Sequence, residues 1–94
     1  MKSKDKIHDL LRECCREVLA YIRERESLYP DGWVPATDVN DGLEINFSAV
    51  PKNSQDPSGQ KGWLFATFAR MLEDQGSVQY EKRGGRSYYK SIGP

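Results

Sequence analysis

His8 beside Asp9, and Cys14 beside Cys15, are the side chains whose types could support acid–base, nucleophilic or metal chemistry. Neither pair has the company that such chemistry needs. His8 is the only histidine and the cysteines number two, too few for a structural zinc set. Neighbouring residues on a helix diverge by ~100°, so Cys14 and Cys15 do not bridge each other, and one pair makes no disulfide framework. They read as small buried hydrophobes, with redox sensing as the other use of such a pair. His8 reads as a solvated surface residue. Gly59, Gly62, Gly84 and Gly85 fit neither a Gly-Lys-Ser/Thr loop nor a Gly-x-Gly-x-x-Gly turn, so no phosphate cradle is present in the pattern. The carboxylates are scattered. The expectation is a protein that is not an enzyme, with no cofactor and no metal.

The other chemistry on offer is charge. The 94 residues carry 14 Lys and Arg against 14 Asp and Glu, which excludes a polybasic arm or an acidic tail. The balance is local, however. From Gly76 onward the chain has four basic residues, Lys82, Arg83, Arg86 and Lys90, against the single acid Glu81. The stretch from Ser27 to Gln60 is the acidic part. A chain of this length makes one domain, 1–94, with one modest core. No apolar run approaches the ~20 residues of a membrane span, and the charged start does not read as a signal peptide. A soluble, cytoplasmic protein is expected.

Periodicity supplies the elements that must position these charges. A helix is expected from Asp5 to Glu26. At 100° steps Ile7, Leu10, Leu11, Cys14, Cys15, Val18, Leu19, Tyr21 and Ile22 form an apolar arc of about 180°, wider than one core face requires. Arg12, Arg16 and Arg23 flank one side, and Glu13, Glu17 and Glu24 the other. Tyr29-Pro30-Asp31-Gly32 reads as a turn, and Trp33-Val34 as an extended pair before Pro35. Pro35 or Thr37 opens a short helix through Asp41, ended by Gly42. Leu43, Ile45 and Phe47 alternate with polar residues as a short strand or extended run would, although Val39, Leu43 and Phe47 also fit helical spacing. Pro51 to Gln60 reads as a loop.

A further helix runs from Ser58 or Gln60 to Gln75, with Leu64, Phe65, Phe68, Met71 and Leu72 inward and Trp63, Ala66, Thr67 and Arg70 outward. Gly76 suits a left-handed cap. The rest is a hairpin. A two-residue Gly84-Gly85 turn would pair Tyr80 with Tyr89. A three-residue Arg83-Gly84-Gly85 loop would pair Tyr80 with Tyr88 and place Val78, Tyr80, Tyr88 and Ile92 on one inner face. The second is the expectation, because it gathers the apolar residues.

Long helix, extended pair, short helix, longer helix and basic hairpin is an order that resembles the winged helix-turn-helix superfamily. The stretch Phe68-Ala69-Arg70-Met71-Leu72-Glu73-Asp74-Gln75-Gly76-Ser77-Val78 resembles the ending of its recognition helix. Gly84-Gly85-Arg86-Ser87-Tyr88-Tyr89-Lys90-Ser91-Ile92 is similar to the wing and return strand of bacterial repressors of the arsenical-resistance and multiple-antibiotic-resistance types. The resemblance implies an α+β fold of three helices with a small antiparallel sheet and a C-terminal wing. It implies a regulatory protein that binds double-stranded DNA, with the recognition helix in the major groove and the wing on phosphates or the minor groove. Carried onto this chain, the nucleic-acid contacts fall to Lys61, Trp63, Thr67 and Arg70 on the helix and to Lys82, Arg83, Arg86 and Lys90 on the wing.

Two features point elsewhere. About 16 residues, Glu44 to Gly59, stand where these repressors have a tight turn. The outward helical stripe also offers a Trp and an Ala beside one Thr and one Arg, and an outward Trp suits a protein interface. The alternative is therefore a winged-helix protein–protein interaction module anchored by Trp63, unless Trp63 folds back under the long loop or onto Trp33. The wide arc of the first helix adds a further expectation, a homodimer through Leu10, Cys14 and Tyr21.

Overall fold

The computed structural model describes residues 2–53 and 61–93. Its elements are α1 (Lys2–Glu26), β1 (Val34–Pro35), α2 (Ala36–Gly42), α3 (Trp63–Asp74), β2 (Val78–Arg83) and β3 (Arg86–Ser91). The three strands form one antiparallel sheet in the order β1-β3-β2. The class is α+β.

Helix α1 begins three residues before the expected Asp5. Asp5 lies in its first turn, and Arg23 and Arg25 lie in its last, each charge opposing the helix dipole. Its buried residues, Cys15, Val18 and Ile22, follow the i, i+3, i+7 spacing of one face. Phe65, Phe68, Ala69 and Leu72 do the same on α3. These two stripes meet Val34, Val39, Val78 and Tyr89 in a single core. Each large side chain buried there contributes roughly 1.5–3 kcal/mol. Cys14 is exposed while Cys15 is buried, so only one of the two cysteines is a core residue. Burial pushes the Cys15 thiol up, and Cys14 adds to the effect.

The turn after α1 forms as expected, with the Gly32 N–H donating to the Tyr29 carbonyl at 3.1 Å. Helix α2 also forms, but Gly42 is its last residue rather than a left-handed cap. The left-handed residue is Glu44, at φ 53°. Gly42 answers a different need: a Cβ there would overlap the Tyr21 hydroxyl. That hydroxyl donates to Asp38 Oδ1 at 3.1 Å, and Asp38 Oδ2 accepts from the Tyr29 hydroxyl at 2.6 Å and from Arg25 Nε at 3.0 Å. Tyr21 is thus committed to a knot that ties α1 to α2.

Of the short strand or extended run expected at Leu43, Ile45 and Phe47, no strand forms among the described residues. Glu44 breaks the extended path. The Ile45 N–H turns back to the Asn40 carbonyl at 3.0 Å, and the Phe47 N–H to the Ile45 carbonyl at 2.9 Å. Leu43 and Ile45 still pack on the core, while Phe47 is exposed. The expected start of α3 at Ser58 or Gln60 lies outside the described residues, but Lys61 and Gly62 are not helical: Gly62 is left-handed at φ 79° and the helix begins at Trp63. At its other end Gly76 is left-handed at φ 73°. Gly76 donates to the Glu73 carbonyl and Ser77 to the Leu72 carbonyl, each at 2.9 Å. This double closure ends the helix and aims the chain into β2.

The hairpin differs from expectation by one residue. Arg83 pairs with Arg86, and Tyr80 with Tyr89, so the turn is Gly84-Gly85, with φ of 54° and 83°. Two successive positive φ angles suit a two-residue turn whose twist matches its strands. A shift of one residue reverses every side chain. Tyr89 therefore points inward at 7% exposure, while Tyr80 and Ile92 stay 42% and 44% exposed. The Tyr89 ring meets Phe65 edge-on at 5.1 Å between centroids, an aromatic contact that the three-residue loop would forfeit. Burial, helped by Glu73, pushes the Tyr89 phenol up to about 12.

Candidate nucleic-acid interface

The outward stripe of α3 is open along its length: Trp63, Ala66, Thr67 and Arg70 are all exposed, as is Lys61 just before the helix. Trp63 retains 40% of its surface in solvent. Trp33 is occupied otherwise, as described below. The Thr67 hydroxyl donates to the Trp63 carbonyl at 2.9 Å, turned back on its own helix. Arg70 Nε lies 3.0 Å from Asp74 Oδ1, one helical turn on. An exposed pair of this kind is worth only ~0.3–0.5 kcal/mol, so Arg70 can leave it for a better acceptor.

The strand register sorts the basic residues of the hairpin. Val78, Tyr80 and Lys82 share a face with Ser87, Tyr89 and Ser91, by their pairing. Tyr89 packs on Phe65 of α3, so Lys82 and Ser87 project on the α3 side of the sheet. Arg83, Arg86, Tyr88 and Lys90 occupy the opposite face.

On that opposite face Arg83 is held. Its Nη1 lies 2.8 Å from Asp31 Oδ2 and its Nη2 2.7 Å from Glu81 Oε2. Its guanidinium carbon stands 5.5 Å from the Trp33 ring centroid and 5.1 Å from that of Tyr88. Glu81 and then Asp31 hold the guanidinium above its ordinary value. The Trp33 N–H and then Arg83 hold the Asp31 carboxyl below the usual range. Lys90 Nζ donates to the Asp31 carbonyl at 3.0 Å. Lys61, Lys82 and Arg86 have no ion pair or hydrogen bond among the described residues.

The eight candidate residues are thus split. Trp63, Thr67 and Arg70 come together on one helical face, with Lys61 just before that helix and Lys82 on the same side of the sheet. Arg83, Arg86 and Lys90 lie across it. Sequence reasoning missed the clamp on Arg83. The Glu81 arm was readable, because residues two apart on a strand share a face. The Asp31 arm was not, since it requires the turn after α1 to reach the hairpin.

His8 is exposed. Among the described residues no three His, Cys, Asp or Glu side chains converge as metal ligands, and no helix is long and apolar enough to cross a membrane. No protein-family model, no curated protein and no solved structure matches the chain.

Proposed function

We propose that the chain is a winged-helix protein that binds double-stranded DNA, with α3 in the major groove and the β2–β3 turn against the phosphate backbone. The observation that carries this reading is the junction of α3 with the hairpin. A helix open along one whole face, with its other face buried, passes through a single glycine into a basic hairpin turned by two more glycines. The order of the elements and the small three-stranded antiparallel sheet are compatible with the winged-helix superfamily that the sequence resembles, and they support this reading.

In this reading Thr67 and Arg70 face the base edges. Each good base contact discriminates by ~1–3 kcal/mol. Lys61, Lys82 and Arg86 supply the phosphate contacts, because Arg83 is already engaged by two carboxylates. Three such contacts would give log K a slope of up to about −2.7 against log salt on duplex DNA. Titration of labelled duplex across a salt series tests the reading, with Thr67→Ala and Arg70→Ala expected to erode sequence discrimination rather than abolish binding.

A second reading, an interaction module anchored by Trp63, is favoured by one observation. The outward stripe carries an indole, Trp63, that keeps 40% of its surface in solvent, and an exposed indole suits a protein interface. The same titration separates the two, since an aromatic-anchored protein interface predicts no duplex binding even at low ionic strength.

A further inference from the structure

Every residue of α1 from Lys2 to Leu10 is exposed. About two and a half turns of helix therefore extend past the core that α1 covers. That overhang is not uniformly polar. Ile7 is 56% and Leu10 49% exposed, and with the exposed Cys14 they form an i, i+3, i+7 stripe. The stripe leads into an apolar groove of about 440 Å³ between α1 and α3, whose walls are Leu10, Cys14 and Val18 on one side and Leu43, Leu64 and Phe68 on the other, with Glu13 and Glu17 at its edge. Short isolated helices are marginal in water and gain most of their stability from packing an apolar face. The overhang has no such packing among the described residues.

We infer that this stripe and groove are the interface of a two-fold dimer in which two copies of α1 pack antiparallel about Leu10. The occupant is identified by the charges beside the stripe. Lys2, Lys6, Glu13 and Glu17 fall within about 60° of one flank at 100° per residue. Lys2, Lys6 and Glu13 line a common shallow surface with Leu10, beside Asp5 and Asp9, the latter paired with Arg12 at 2.8 Å. In an antiparallel pair like flanks meet, and each residue faces one equally distant on the other side of the midpoint. The midpoint of Lys6 and Glu13 is also the midpoint of Lys2 and Glu17, and it falls beside Leu10. One arrangement therefore sets Lys6 against the second copy's acid at 13, and Lys2 against its acid at 17, with each pair repeated by the symmetry. The same arrangement carries Ile7 of each copy toward Cys14 and the mouth of the other's groove. Tyr21 takes no part, because its hydroxyl is committed to Asp38. The inference does not rest on DNA binding.

Sedimentation equilibrium of the full chain from about 5 to 200 µM tests it. Wild type is expected to reach twice the monomer mass. Leu10→Asp is expected to sediment as a monomer with unchanged far-UV circular dichroism, since Leu10 lies outside the buried core. Lys6→Glu and Glu13→Lys are each expected to raise the dissociation constant about tenfold or more, because each alters two symmetric pairs. The double variant Lys6→Glu/Glu13→Lys is expected to restore dimerisation, a rescue that a merely structural role would not produce. A wild type that stays monomeric across this range would overturn the proposal. So would a dimer that Leu10→Asp leaves intact, or a double variant no better than its parents.

Discussion

Arg83 reaches Asp31 with 2.8 Å between Nη1 and Oδ2, so the tip of the hairpin is tied to the turn that follows α1. Trp33 and Tyr88 complete the site by presenting ring faces to the same guanidinium. The most conspicuous cation of the hairpin is thereby a fastener. Arg83→Ala is expected to lower the melting temperature and to leave the salt slope of DNA binding unchanged. Arg86→Ala and Lys82→Ala are expected to do the reverse, flattening the slope by up to about 0.9 each. Melting curves alongside salt titrations of the three variants check this division.

The register of the hairpin makes a sharp contrast between neighbouring tyrosines. Tyr89 is buried against Phe65 and Tyr80, so Tyr89→Ala is expected to cost about 3–5 kcal/mol, as for other buried aromatics. Tyr88→Ala is expected to cost clearly less, since Tyr88 is only half-buried and its ring packs under Arg83 on the other face of the sheet. Urea denaturation of the two variants reads the difference directly. Equal costs would mean that the turn is not Gly84-Gly85.

Gly42 is the next test. A methyl group there would push the Tyr21 ring end away from Asp38, so Gly42→Ala is expected to destabilise by roughly 1–3 kcal/mol, the usual cost of overpacking. Tyr21→Phe in the same background is expected to recover part of that loss, because it removes the clashing oxygen. Non-additivity in the double-mutant cycle is the measurement.

Asp38 gives the knot a pH signature. Burial alone would raise its carboxyl, but hydrogen bonds from Tyr29, Arg25 and Tyr21 outweigh burial and hold it below the ordinary value. A depressed folded-state value means stability that is present above the unfolded carboxylate range, near pH ~4, and lost as pH falls through the lower folded value. Wild type is therefore expected to lose stability progressively as pH drops from about 5 toward 2. Asp38→Asn is expected to be less stable at neutral pH, by about 1.5–3 kcal/mol for hydrogen bonds to a charged group, and to show a shallower loss in acid. Denaturation midpoints of both proteins across that range decide the matter.

The elements that could be read along the chain were those with long, regular periods. Both long helices followed from apolar spacing, although only Cys15, Val18 and Ile22 of the wide arc on α1 are buried, and Gly76 followed from the need for a left-handed residue where α3 stops. What could not be read depended on contacts between distant segments. The alternation at Leu43, Ile45 and Phe47 is genuine, but Glu44 in a left-handed conformation turns it into an irregular segment laid on the core. The choice of hairpin turn rested on which tyrosine meets Phe65, and the role of Gly42 rested on a hydroxyl 21 residues earlier in the chain. At the candidate interface, the exposed stripe of α3 was legible from its period. The capture of Arg83 by Asp31 was not, because local sequence says nothing about which turn a hairpin tip will meet.

The central claim is that α3 and the hairpin bind duplex DNA through the cations that the fold leaves unpaired. Fluorescence anisotropy of a labelled mixed-sequence duplex, titrated with wild type and with Lys61→Ala/Lys82→Ala/Arg86→Ala from about 20 to 200 mM salt, tests it most directly. The account predicts that wild-type log K falls linearly with log salt at a slope of up to about −2.7, and that the triple variant loses most of that slope. Undetectable wild-type binding at the lowest salt, or a slope that survives loss of all three cations, would contradict it.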